Sequence, residues 1–322
     1  MSSSPDTEST DTTGRSRPTA GEGRAGLFYA VAANVCWGMV VLYWPLLNPT
    51  PAMEILAHRI VWSLVFVVVL LWVTHRLTAV RELMRRPRAL AFLAGAAVFQ
   101  AANWGTYIHA VTSGHVVQAA LGYFITPLLT VMLAVVVLRE KLRRVQWVAV
   151  VLGVLAVGML SVDYGQPPWL ALVLGVCFAG YGFLRNRVAV GAFEGLAVET
   201  AILSGPALAW IVWLGVQGQA TFSVGDTDKI ALLAGGGVLT MVPLLFFGAS
   251  VTRLPLATLG LLQYLAPLLQ WLLGVLVAGE PMPIQRLLGF VVVWCALVLL
   301  ALDGWRGAAR AARRQPEGSI PA

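Results

Sequence analysis

The stretch LGYFITPLLTVMLAVVVLRE, Leu121 to Glu140, decides the fold, because 140 residues later the chain writes much of it again as LLQYLAPLLQWLLGVLVAGE, Leu261 to Glu280. Pro127 is answered by Pro267 and Glu140 by Glu280. The register extends outward without a gap: Leu93-Ala94-Gly95 answers Leu233-Ala234-Gly235, and Asp163 answers Asp303. A fixed period with matching Pro, Glu and Asp marks a duplicated unit, and internal duplication in an apolar chain is how many transporters are built.

The composition puts that unit in a membrane. Of 322 residues, 58% are hydrophobic and 11% charged, where a soluble domain carries about a quarter charged; mean hydropathy is +0.79. The net charge of +7 would suggest nucleic acid in a soluble protein. Here, however, all of the 22 Lys and Arg except Arg59, Lys229 and Arg286 fall in alternate connections or in the tails. That is the asymmetry that orients membrane helices, and it gives no reason to expect nucleic acid. Cys36, Cys177 and Cys295 lie inside apolar runs without metal-ligand spacing and read as packing residues. Residues 1–25, rich in Ser, Thr, Asp, Glu and Arg, are expected to form a disordered cytoplasmic tail, with no cleavable signal before the first apolar run.

Runs long enough to cross roughly 30 Å of hydrocarbon at about 1.5 Å per residue occur at Gly26–Leu47, Ile55–Thr74, Ala89–Thr112, Val116–Leu138 and Val145–Val162. They recur at Pro168–Leu184, Gly195–Val216, Ile230–Thr252, Leu256–Ala278 and Ile284–Leu302. The expected fold is therefore an all-α polytopic membrane protein with ten transmembrane helices, arranged as a first five-helix repeat over 26–163 and a second over 168–303. An odd number of spans per unit turns the second upside down. The charges agree: Glu140 is followed by the basic Lys141, Arg143 and Arg144, whereas Glu280 is followed by Pro281, Met282 and Pro283. The basic tail 304–322 returns to the cytoplasm, so both termini are expected there and the protein is expected in the cell membrane.

The segments VCWGMVVLYW (Val35–Trp44), EILAHRIVWSLVF (Glu54–Phe66), NWGTYIHAVTSGHVVQAALGYFITPLL (Asn103–Leu129) and LGLLQYLAPLLQ (Leu259–Gln270) resemble the RarD branch of the EamA-type drug/metabolite transporters. The resemblance covers nearly all of Gly26–Asp303. It implies two inverted five-helix repeats around a central cavity and the export or permeation of small metabolites. The RarD name implies a link to chloramphenicol sensitivity. One departure is His109, where the family pattern carries an aromatic residue.

Ionisable and polar residues inside apolar spans are the functional candidates, because a charge at a helix centre costs about 2.5–3.5 kcal/mol on insertion scales. Glu54 and His58 share a face of the second span, and Arg59 lies about 100° round from His58. Two readings stand for Arg59: an interfacial ion pair with a snorkelling side chain, or a cavity group that holds an anionic or polar part of a substrate. His58, with Glu54 beside it, is the candidate for proton coupling. Gln100, Asn103 and Tyr107 form one helical stripe, read either as helix-to-helix hydrogen bonding or as the wall of a wet cavity. Their partners in the repeat are Thr240, Pro243 and Phe247, so the two walls differ.

Pro127 and Pro267 each remove a backbone donor in mid-span and loosen the preceding turn, beside Tyr123 in one half and Gln263-Tyr264 in the other. Paired kinks in inverted repeats point to a central site, which places Tyr123, Gln263 and Tyr264 in its wall. Trp37 and Trp104 lie well inside their spans and read as cavity or packing aromatics. Trp44, Trp147, Trp169 and Trp305 sit near span ends and read as an interfacial belt. Glu140 and Glu280 read as caps or interfacial ion-pair partners.

The expected function is secondary active transport, as exporter or permease, of a small polar or amphipathic metabolite or drug by alternating access. A channel-like facilitator or a non-transport sensor are the alternatives. No HExxH, paired intramembrane carboxylates or P-loop motif is present, so an enzyme and a primary pump are not expected. The expected partners are a small-molecule substrate and the lipid bilayer, with a homodimer left open, and no cofactor is expected.

Overall fold

The computed structural model describes residues 20–139, 142–188, 190–221, 226–251, 253–254, 258–259 and 262–313. Every regular element among them is helical. The helices are α1 (Ala20–Met39), α2 (Ala52–Val73), α3 (Leu77–Met84), α4 (Pro87–Thr112), α5 (Val116–Leu138), α6 (Arg144–Tyr164), α7 (Trp169–Arg185), α8 (Ala192–Val216), α9 (Thr227–Val251), α10 (Leu265–Leu276) and α11 (Ile284–Arg313). Two 3₁₀ turns, Val40–Leu42 and Trp44–Leu47, continue α1. Glu140 lies outside the described residues.

Seven helices among the described residues are long and apolar enough to cross a membrane. The difference from ten has physical reasons. α4 has 26 residues, but its polar stripe dilutes its hydropathy. α7 and α10, with 17 and 12 residues, fall short in length. The turn before Pro267 is broken, as its sequence suggests, but Pro267 itself stands in the first turn of α10, not in mid-helix, where its missing N–H leaves no bond unmade. Pro127 lies within α5. At the C-terminal end, α11 runs on to Arg313, past the expected boundary at Leu302.

The helices pack in a recurring pattern. α1 lies against α9 and α10, while α7 lies against α4 and α5. α2 crosses α8, α5 crosses α10 and α6 crosses α11. α2 and α9 approach closely because Gly237 has no side chain: a Cβ there would stand 2.7 Å from the Trp62 carbonyl carbon and 2.9 Å from the Ser63 nitrogen. One buried apolar cluster joins Trp44, Ile55, Trp104, Tyr107 and Leu174; a second joins Leu121, Phe124, Leu160 and Phe290 across α5, α6 and α11.

Polar residues at the helix ends join one half of the chain to the other. Asp163, at the end of α6, pairs with Arg286 of α11 at 2.7 Å. Asp303, its repeat partner, pairs with Arg143 at the start of α6 at 3.4 Å. Glu280 accepts hydrogen bonds from the backbone N–H groups of Val116 and Val117 and so caps α5, satisfying donors that a helix start leaves open.

Candidate functional site

The site is built on α2, α4, α5 and α9, closed by the 3₁₀ turn after α1. The tight turn Trp44–Leu47 carries Trp44 inward until its side chain is 1% exposed. This corrects the belt reading of Trp44; Trp147 and Trp169 are exposed, and the side chain of Trp305 lies outside the described residues. Gly236 of α9 faces this place: its Cβ position lies 3.5 Å from the Trp44 ring and 3.9 Å from Arg59 Cβ, ordinary contact distances.

Arg59 stands at the centre. Its guanidinium carbon is 4.2 Å from the centroid of Trp104 and 5.2 Å from that of Trp44. Its Nε donates to Thr240 Oγ1 at 3.1 Å. Among the described residues no carboxylate pairs with it, against the ion-pair reading; the two ring faces and the Thr240 hydroxyl are its partners there. Thr240 is the repeat partner of Gln100, so the second half contributes to this wall by a shorter polar group than the first.

Asn103 is used by the protein. Its Nδ2 donates to the Leu174 carbonyl at 3.1 Å and its Oδ1 accepts from the Tyr123 hydroxyl at 3.2 Å, tying α4 to α7 and α5. The rings of Tyr107 and Tyr123 lie 5.8 Å apart. The Tyr107 hydroxyl, the Trp44 indole N–H and the Gln100 side-chain oxygen are buried with no hydrogen-bond partner among the described residues. Buried polar atoms are ordinarily paired, so the unmet Trp44 and Tyr107 groups beside the Arg59 cation make this a candidate place for a ligand. His58 is buried one residue from Arg59.

Other predicted residues lie apart. Glu54 accepts from the Thr221 backbone N–H and hydroxyl, each at 3.0 Å, and fastens α2 to the loop after α8. The Trp37 ring packs 5.6 Å from Phe247, and its carbonyl accepts from Gln270 Nε2 at 3.1 Å. Gln263 is exposed, and Tyr264 packs on the α5–α6–α11 cluster, not around Arg59. His109 lines an open apolar groove of about 510 Å³ between α2, α4 and α7, with Met53, Leu56 and Trp169.

A buried group in the second half was not singled out from sequence. Glu199 of α8 lies 3.3 Å from Arg185 Nε, and Tyr181 donates to it at 3.5 Å. Five residues earlier, Glu194 pairs with Arg76 at 2.8 Å. The 140-residue register is the signal that finds both: Glu194 answers Glu54, and Glu199 answers Arg59. Arg185, counted among the loop cations, is instead the partner of a buried carboxylate.

An all-helical bundle in which seven of the described helices are long and apolar enough to cross a membrane has the make-up of a polytopic membrane protein. Known proteins narrow the class. Residues 24–162 match the EamA-like transporter family. The chain is 50% identical to the protein RarD of Streptomyces exfoliatus, over 93% of this chain and 95% of that one. It is 40% identical to an uncharacterized transporter of Pseudomonas aeruginosa, over 89% and 96%. A solved crystal structure, 17% identical, superposes with a TM-score of 0.57 over 90% of this chain and 99% of that one, which shows a shared fold. The chain belongs to the EamA-like transporter family, in its RarD branch.

Proposed function

We propose that this protein is a secondary active transporter of small organic anions with an aromatic or apolar body, working by alternating access in the cytoplasmic membrane with both termini inside. The carrying observation is Arg59, a cation without a carboxylate among the described residues, set between Trp104 and Trp44 and near the Tyr107 hydroxyl, which has no hydrogen-bond partner among them either. Apart from the Gln100 oxygen, the unmet groups there are donors, and donors recognise acceptors such as a carboxylate. Ring faces suit the apolar remainder of the ligand.

Ten spans as two inverted repeats account for the helix pairings. Under that arrangement α1 on α9 answers α7 on α4, α1 on α10 answers α7 on α5, and the α2–α8, α5–α10 and α6–α11 crossings are each their own counterpart. The ion pairs Asp163–Arg286 and Asp303–Arg143 obey the same exchange. A pseudo-twofold of this kind supports a cycle in which the halves trade roles.

The test is a thermal-unfolding series on detergent-purified protein with benzoate, phenylacetate and indole-3-acetate, each beside its neutral amide. The expected result is stabilisation by the acids alone, saturating with concentration and lost in Tyr107→Phe or Arg59→Met. Equal shifts by acids and amides, or shifts untouched by both substitutions, overturn the anion reading. Proteoliposome uptake of a stabilising acid should saturate and be competed by the others; linear, uncompeted flux overturns the transporter mechanism.

A further inference from the structure

The interior holds a second charged place, joined to the first by a row of rings. Glu199 stands seven residues past the start of α8, as Arg59 does past the start of α2, so each lies about 10 Å in from its own helix end. α2 and α8 pack against each other. In the inverted-repeat arrangement the two charges therefore sit toward opposite faces of the membrane. Between them run Tyr107, Tyr123, Phe178 and Tyr181, with successive centroid distances of 5.8, 5.7 and 6.3 Å, and Tyr181 ends the row at Glu199.

The Glu199 side chain is 2% exposed. Its hold on a counter-charge is loose: the 3.3 Å approach of Arg185 makes no hydrogen bond to Oε1, which has no such partner among the described residues. Arg185 is also bound to the Gly191 carbonyl at 2.8 Å, and it closes α7 at the end of the bundle. A swing of this long side chain toward water would leave Glu199 with only the Tyr181 hydroxyl at 3.5 Å and no counter-charge in an apolar interior. An unpaired carboxylate there is costly to keep ionised, and taking up a proton removes that cost.

We propose that Glu199 is a proton-binding site of the transport cycle, exchanging its proton with cytoplasmic water as Arg185 leaves and returns. The step is a bare protonation: hydronium gives its proton to the carboxylate and departs as water, and as the guanidinium returns the carboxyl gives that proton back to water as hydronium. The ring row supplies the connection to the ligand position. Phe178, Tyr181 and Arg185 fall at i, i+3 and i+7 on one face of α7, so a ligand that displaces Tyr123 bears on the helix that carries Arg185. The role in transport rests on the proposed function above; proton binding does not.

Other ionisable groups on the surrounding elements stand elsewhere. On α7 they are Arg185 and Tyr181 themselves and the buried thiol Cys177, one turn before Tyr181. On α2, Glu54, His58 and Arg59 lie toward the opposite end; near α3, Arg76 is taken by Glu194 of α8, while Arg81 and Glu82 are exposed. On α4, Arg88 and His109 stand at the two ends.

Two measurements decide the matter. Infrared difference spectra of Arg185→Gln in lipid nanodiscs at neutral pH should show one more protonated-carboxyl band than wild type, and Arg185→Gln with Glu199→Gln should lose it. No added band, or a band that survives the second substitution, overturns the proposal. In proteoliposomes loaded with a labelled aromatic carboxylate, a one-unit pH gradient should drive accumulation toward the limit of about tenfold per proton. Glu199→Gln should bring that ratio to about one while probe exchange without a gradient continues. Gradient-driven accumulation that survives in Glu199→Gln, or is lost in Glu54→Gln instead, overturns the coupling role. A wild type that moves no probe removes the transport reading and leaves the infrared result to decide proton binding by itself.

Discussion

Replacing Arg59 by Met keeps the length of the side chain and removes its charge. Keeping the charge inside the bundle costs about 2.5–3.5 kcal/mol if it stands at the centre of a span, and less toward the ends. Against this stand the ring of Trp104 at 4.2 Å and the ring of Trp44 at 5.2 Å, worth about 0.5–2 kcal/mol each. The bond to Thr240 at 3.1 Å adds about 1.5–3 kcal/mol, as hydrogen bonds to charged groups do. At mid-range the favourable contacts come to about 5 kcal/mol against a cost of about 3, so Arg59→Met should unfold about 2 kcal/mol below wild type. For a chain of this size that is a shift of a few degrees, at roughly 2–4 °C per kcal/mol. Ligand binding has no such compensation. An aromatic carboxylate at 100 times its dissociation constant stabilises the wild type by about 2.7 kcal/mol and should stabilise Arg59→Met not at all. Arg59→Lys keeps the charge without the planar face and should fall between, binding about tenfold more weakly, or about 1.4 kcal/mol. The assay is a thermal melt of each variant with and without ligand. A loss above about 4 kcal/mol in ligand-free Arg59→Met would mean that Arg59 holds the bundle together, and the reasoning would be refuted.

Gly237→Ala should destabilise by about 1–3 kcal/mol in thermal melts, because the new methyl meets the α2 backbone. Gly158→Ala, in α6 with nothing within 4 Å of its Cβ position, should instead gain about 0.5–1 kcal/mol. Asp163→Asn leaves Arg286 without its carboxylate and should lower the melting temperature; Asp163→Arg combined with Arg286→Asp should recover most of the loss, and failure to recover would show that the pair is not what joins α6 to α11. Glu280→Ala should cost about 0.5–2 kcal/mol as a lost cap. Burial raises the Glu280 carboxyl above its ordinary value, against the lowering effect of its bonds to Val117 and Val116. The folded protein then binds that proton more readily than the unfolded chain, so its contribution falls as pH rises from the ordinary carboxylate value to the raised one and is level above. Glu280→Gln should remove that slope from melts recorded across the acid range.

Much of the bundle was legible because apolar length is a local property. The bounds of α5, Val116–Leu138, coincide with the sequence reading, and those of α6 and α7 differ by one or two residues. The stripe Gln100-Asn103-Tyr107 was also legible, since its spacing alone puts it on one face. How each polar group is used was not: Asn103 spends both ends of its amide on Leu174 and Tyr123, and only packing reveals such partners. Trp44 was misread because the 3₁₀ turns that bring it inward follow from the loss of α-helical spacing after Met39, which its position near a span end does not announce. Gln263 and Tyr264 were placed by symmetry with Tyr123, yet the broken turn before Pro267 faces a different cluster. Glu199 carries no local signal, since it lies in an apolar run without a neighbouring polar stripe; only the 140-residue register, which sets it opposite Arg59, points to it.

That opposition explains where the two halves agree and where they part. At the ends of the bundle the carboxylates recur across the 140-residue offset: Asp163 on Arg286 and Asp303 on Arg143, Glu54 on the loop after α8 and Glu194 on Arg76 after α2. In an alternating-access cycle each such clasp belongs to one mouth, and the closed mouths of the two end states are kept near in energy when both are fastened by groups of the same kind. A large difference between them would hold the protein in one state, since about 1.4 kcal/mol already biases a population tenfold. The interior is under the reverse demand. Arg59 answers to Glu199 across the repeat, and Asn103 and Tyr107 answer to Pro243 and Phe247, an asymmetry that suits the proposed substrate with one charged end. A second Arg at position 199 would offer such an anion a competing site at the other end of the ring row, whereas a carboxylate there would repel it and could take up a proton. In the proposed cycle the recurring clasps permit the motion and the asymmetric interior holds the cargo.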